Sequence, residues 1–78
     1  MTYPVKIQSA ASFGLAVQQA RLIAGISQRD LAKRIGTSQR YIWELEAGKD
    51  STLLRNLISA LTETGASITV EIPESNDE

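Results

Sequence analysis

The chain has 78 residues, a net charge of −1, and neither cysteine nor histidine. That length allows one small domain with a modest core, and the two missing side chains exclude disulfides, the usual zinc and transition-metal sites, and every His- or Cys-based catalytic triad. No cluster of carboxylates, lysines and hydroxyls takes their place, so the chain reads as a binding protein without a cofactor rather than an enzyme.

The opening "MTYPVKIQ" has no long apolar core behind a basic segment, so it does not read as a secretory signal. No apolar run approaches the roughly 20 residues that span a bilayer, and a cytoplasmic location is expected. Residues 1–8 form an arm whose "YPVKI" can be extended. A first helix follows in "SAASFGLAVQQARLIAG", with Ser9 as N-cap and Gly25 as a left-handed C-cap. Phe13, Ala16, Val17, Ala20 and Ala24 recur at helical spacing as its buried stripe. Gly14 weakens the first turn by up to about 1 kcal/mol relative to alanine.

The second helix is "SQRDLAKRIG", capped by Ser27, with Leu31, Ala32 and Ile35 inward and Gly36 at its end. Asp30 and Arg34, spaced i, i+4, form a solvated pair. A third helix starts at Thr37 or Ser38 and runs to about Ala47, with Gly48 closing it. A fourth starts at Ser51 or Thr52 and buries Leu53, Leu54, Leu57, Ile58 and Leu61, completing a helical domain over residues 9–65. After Gly65 the period changes: Ile68, Val70 and Ile72 alternate with Ser67, Thr69 and Glu71, a strand over residues 66–73 that Pro73 stops. The acidic residues 74–78 read as a frayed tail.

The third helix carries the functional signal. At about 100° per residue, Ile42 and Leu45 define a buried side, and Gln39, Arg40, Trp43 and Glu44 face away from it. A solvated polar face accounts for Gln39 and Glu44 but not for an exposed indole, which marks a contact surface. Ala32, Gly36 and Ile42 supply a small residue at a close helix crossing, a glycine in the turn, and a branched residue to lock the second helix. That combination reads as a helix-turn-helix, whose second helix enters the major groove. From Arg21 to Lys49 six cations stand against three acidic residues, a local charge of +3, while the remainder holds two against six. A basic centre is therefore hidden behind an acidic whole.

The stretch "RLIAGISQRDLAKRIGTSQRYIWELEAGK" resembles the DNA-binding domains of the lambda repressor and Cro superfamily, the XRE family. The resemblance implies a mainly α, four- to five-helix bundle that binds double-stranded DNA. It places Gln28 on a phosphate and beside Gln39, and Ser38 as a cap that touches the backbone. Gln39, Arg40 and Glu44 fall on base-reading positions, and Lys49 on phosphate. It pairs Arg21 with Glu46 as a structural ion pair. Trp43 departs from the family pattern, where that position is small or polar; it fits a deoxyribose, a thymine methyl or a protein partner. Arg40 and Glu44 are also spaced to neutralise each other.

The C-terminal strand has two readings. It packs on the bundle as irregular chain, or it pairs with the same strand of a second copy in a two-fold dimer, with contact from Leu57, Leu61, Ile68, Val70 and Ile72. A helix-turn-helix domain followed at once by "LISALTETGASITVEI" resembles the HipB antitoxins. That resemblance implies a homodimeric, autoregulating repressor of a palindromic operator, with a HipA-like serine/threonine kinase toxin as partner. Two alternatives stand beside it: an XRE-family regulator without a toxin, and a module that uses the same helices to grip protein.

Overall fold

Four serines start four helices. In the computed structural model, which describes residues 1–74, the elements run β1 (Thr2–Ile7), α1 (Ala10–Ala24), α2 (Gln28–Ile35), α3 (Gln39–Glu46), α4 (Thr52–Glu63) and β2 (Ile68–Pro73). Ser9, Ser27, Ser38 and Ser51 are the N-caps, each accepting the backbone N–H three residues on. Each cap contributes about 1 kcal/mol. Of the tail expected over residues 74–78, all but Glu74 lies outside the described residues.

The C-terminal strand has an edge within its own chain. β2 pairs antiparallel with β1, setting Tyr3 opposite Ile72, Val5 opposite Val70 and Ile7 opposite Ile68. These six residues form one apolar face, which packs on Phe13, Ala16, Ala20 and Ile23 of α1. Both readings of this strand, irregular chain on the bundle or pairing with a second copy, left out the partner it has within the chain: Tyr3, Val5 and Ile7 carry the same period-two pattern as β2 and supply its edge. Ile72 is fully buried at the centre of this layer. It therefore cannot serve a dimer contact as expected.

The other flank of α1 meets α3, and Gly14 sits where they cross. A Cβ built on Gly14 would stand 2.4 Å from the Leu45 carbonyl oxygen and 2.7 Å from that of Glu46. The glycine that weakens the helix is what lets the backbones approach.

α4 packs less fully than its leucines imply. Ile58 is buried, and Leu54 and Leu61 are half-buried, but Leu53 is 81% exposed and Leu57 50%. The apolar arc of α4 is wider than the groove that receives it: Leu54, Ile58 and Leu61 fill the groove, and Leu53 and Leu57 lie beside it. Ile35, also expected inward, is 58% exposed. It ends α2 one turn beyond Ala32, the residue α2 buries. Ala24, the last residue of α1, is exposed for the same terminal reason.

Candidate nucleic-acid interface

Two helices and a three-residue linker build the interface. Gly36 caps α2 with φ +78°, which a residue with a side chain rarely adopts, and donates to the Ala32 carbonyl. The chain then turns through Thr37 and Ser38 into α3. Ala32 is 3% exposed and Ile42 fully buried, a small and a branched residue on the two helices that pack here. Ser38 Oγ accepts the Tyr41 N–H at 3.1 Å, so its side chain is committed to starting α3.

A buried clamp fixes the orientation of α3. Arg21 of α1 reaches Glu46 through two parallel bonds, Nε to Oε2 at 2.6 Å and Nη2 to Oε1 at 3.0 Å. Its Nη1 donates to the Ile26 carbonyl at 3.0 Å, and Gln28 Nε2 donates to Glu46 Oε1 at 3.1 Å. The two charged side chains are 10% and 3% exposed. The Arg21 hydrogen bonds hold the Glu46 carboxyl below the usual carboxylate range; burial opposes them and the Gln28 bond assists. The same bonds to Glu46 raise the Arg21 guanidinium against the pull of burial. One carboxylate thus ties together α1, the α1–α2 loop, the start of α2 and the end of α3.

The opposite face of α3 is open. Gln39 is exposed, Trp43 is 57% exposed and the Arg40 side chain 83%. Gln28, Gln39, Arg40 and Trp43 line one shallow cleft, which joins the start of α2 to the face of α3. The family resemblance places Gln28 beside Gln39, and the structure brings both to this cleft while spending one Gln28 amide hydrogen on Glu46. The other hydrogen remains for a ligand.

Glu44 is not presented alone. Its Oε2 lies 3.4 Å from Arg40 Nε and 3.4 Å from Lys49 Nζ, the latter in the loop after α3. The Arg40 pairing is legible as an i, i+4 spacing; the Lys49 contact depends on how the loop turns back at Gly48. Tyr41 is a residue of α3 that sequence reasoning assigns to neither face. It is half exposed and lines a second depression with Glu44, Lys49, Ser51 and Leu54, between α3 and the start of α4. An aromatic between the buried and outward sides of the helix was the available signal.

Among the described residues, no group of three acidic side chains is placed to hold a metal ion, and no helix is long and apolar enough to cross a membrane. The arrangement offers amide, guanidinium, ammonium, carboxylate and indole groups to a surface that approaches along α3. A protein-family model described as helix-turn-helix matches residues 17–70, more than half of the chain. Among curated proteins and among solved structures, nothing matches.

Proposed function

Because the chain belongs to the helix-turn-helix family of lambda repressor/Cro-like (XRE) DNA-binding regulators, we propose that it is a homodimeric, sequence-specific repressor whose α3 reads an operator. The observation that supports this best is the sorting of α3. Ile42 and Glu46 turn into the protein, while Gln39, Arg40 and Trp43 stand in solvent on the basic segment. A glutamine amide suits the N6/N7 edge of adenine, an arginine fork suits guanine O6/N7, and an indole offers apolar surface to a thymine methyl. Glu44 suits a cytosine N4 amino group. Gln28, Ser38 and Lys49 are assigned to the phosphate backbone, where they set register rather than read sequence.

Homodimer formation is supported by the open edge of the small sheet. The Glu74 N–H bonds to the Met1 carbonyl at 3.1 Å, which sets the alternation of the ladder. Thr2, Pro4 and Lys6 of β1, and Thr69, Glu71 and Pro73 of β2, therefore turn their backbone groups outward. Pro4 breaks the row of donors at the centre of the β1 edge, whereas Thr69 and Glu71 leave two adjacent donors on β2. A second copy adds to β2 across a two-fold axis, giving the strand order β1–β2–β2–β1 and ending each side on a proline-interrupted edge. Ile68 and Val70 flank the seam, and Leu57 and Leu61 of α4 supply apolar contact. Such a dimer holds two copies of α3 about 34 Å apart for a palindromic site.

The succession of helix-turn-helix domain and strand further supports an antitoxin that represses its own operon in the cytoplasm and binds a HipA-like serine/threonine kinase. Co-expression with a kinase encoded beside the gene tests this extension. A stable complex supports it, and the absence of such a gene leaves a stand-alone regulator.

The central test is selection of bound duplexes from a random library, followed by titration of the winner and a scrambled control. The expected outcome is a palindrome bound at least about a thousandfold more tightly than the scrambled duplex. Arg40→Ala should cost that preference about tenfold or more. Enrichment of no sequence would overturn the repressor reading.

A further inference from the structure

Glu44 is a carboxylate at the centre of a surface assigned to a polyanion, and its two neighbours are the cations that surface needs. Arg40 Nε and Lys49 Nζ both lie 3.4 Å from Glu44 Oε2. The Glu44 side chain is 22% exposed, against 83% for Arg40 and 64% for Lys49. The acid is the sheltered member and the two bases reach outward from it. On energy alone each pair is weak, since ion pairs in water contribute about 0–1 kcal/mol. Their importance lies in what happens when DNA approaches.

We infer that Glu44 is an internal counter-ion that lowers binding to DNA of arbitrary sequence and so sharpens discrimination. The inference rests on the reading of α3 as the DNA-facing helix. Affinity for any duplex comes from phosphates neutralised by Lys and Arg, and log K falls with log salt by about 0.9 for each one. While Glu44 stays among the cations, Arg40 and Lys49 together present one net positive charge instead of two. A phosphate backbone that draws the cations away leaves Glu44 facing negative charge, with no donor gained in their place. An operator offers two compensations that an arbitrary sequence lacks. A guanine edge takes up the Arg40 fork, and a cytosine N4 amino group donates to the Glu44 carboxylate. Glu44 thus penalises every duplex and is relieved on few.

The arrangement also accounts for the opposing charges on one helix face. Had Arg40 been present only to pair with Glu44, the loop cation Lys49 would have no reason to converge on the same oxygen. Convergence from a different element makes the carboxylate the hub of the group.

The test compares the full-length protein with Glu44→Gln, which keeps the shape and an acceptor oxygen and removes the charge. Glu63→Gln is the control; it removes the same charge from the exposed end of α4. Each protein is titrated at several salt concentrations against a duplex selected by the wild type and against a scrambled duplex. On the scrambled duplex, Glu44→Gln should bind about tenfold more tightly at low salt, with a slope steeper by about one unit, and Glu63→Gln should show no change in slope. On the selected duplex the gain should be absent or reversed, so the preference falls about tenfold or more. An unchanged slope for Glu44→Gln on the scrambled duplex overturns the inference, and so does an equal gain on both duplexes. If the wild type selects no sequence, the repressor reading fails by itself, and the slope on the scrambled duplex still decides the role of Glu44.

Discussion

The two halves of this small protein are held together on different terms. In the first, α1, α2 and α3 meet through a glycine crossing, two buried residues at the α2–α3 turn, and a carboxylate that joins three helices. In the second, α4 buries Ile58 alone and leaves Leu53 and Leu57 in water, and the sheet has two strands and two outer edges. The two-stranded sheet depends on its apolar face lying against α1, and α4, which wets half its leucines, gives up part of its hydrophobic contribution. The helix-turn-helix half is closed within one copy; in the other half part of α4 and the sheet edges stay open to solvent.

That contrast breaks most severely at Gly14. Helix propensity alone makes Gly14→Ala stabilising by about 1 kcal/mol. The structure reverses the sign, because the new Cβ would lie 2.4 Å from one backbone oxygen and 2.7 Å from another. Backbone cannot rotate aside as a flexible side chain can. Gly14→Ala should cost about 3 kcal/mol or more, read as a fall in urea midpoint with little change in slope. Equal or higher stability would mean that α1 and α3 are not this close.

The clamp is next in size. Glu46→Gln leaves the Arg21 guanidinium buried without its counter-ion and should cost about 3 kcal/mol. The pH dependence has a definite sign. A carboxyl lowered by folding contributes its stability in full above its ordinary value and loses it as pH falls through that value toward the lowered one. The wild type should therefore weaken through the acid range, and Glu46→Gln should flatten that limb of the stability curve. A parallel downward shift of the curve without flattening would remove the role of the charge.

Legibility in the sequence follows the same division. Serine caps, glycine stops and helical periodicity are local signals, so all four helices could be read directly, and the family pattern carried the Arg21–Glu46 pairing. What escaped were relations between distant segments. Gly14 looks like a defect until Leu45 and Glu46 are set beside it. β2 looks unpaired until β1 is brought back from the other end of the chain. Leu53 and Ile35 look like core because periodicity reports which side of a helix is apolar and not how much of that side a neighbour covers. At the site, the outward face of α3 was legible; the convergence of Lys49 on Glu44 was not, since it depends on the turn at Gly48.

The smallest effect on folding, and the sharpest division between the two halves, should come from two proline substitutions. Lys6 and Thr69 are directly opposite in the β1–β2 ladder, and both belong to the set whose N–H groups point away from it. Pro4 and Pro73 already occupy such positions, which shows that the ladder accommodates proline there. Lys6→Pro and Thr69→Pro should therefore change the stability of the single folded chain by about 0.5 kcal/mol or less. Their effects on assembly should differ. Lys6→Pro alters the edge that Pro4 already interrupts and should leave a dimer intact in sedimentation. Thr69→Pro removes one of two adjacent donors from the β2 edge and should give a monomer at concentrations where the wild type is dimeric, with operator affinity reduced because one α3 binds in place of two. Dissociation by Lys6→Pro and not by Thr69→Pro would move the seam to β1. Dimers from both would move it to α4, where Leu53 and Leu57 are the exposed apolar side chains.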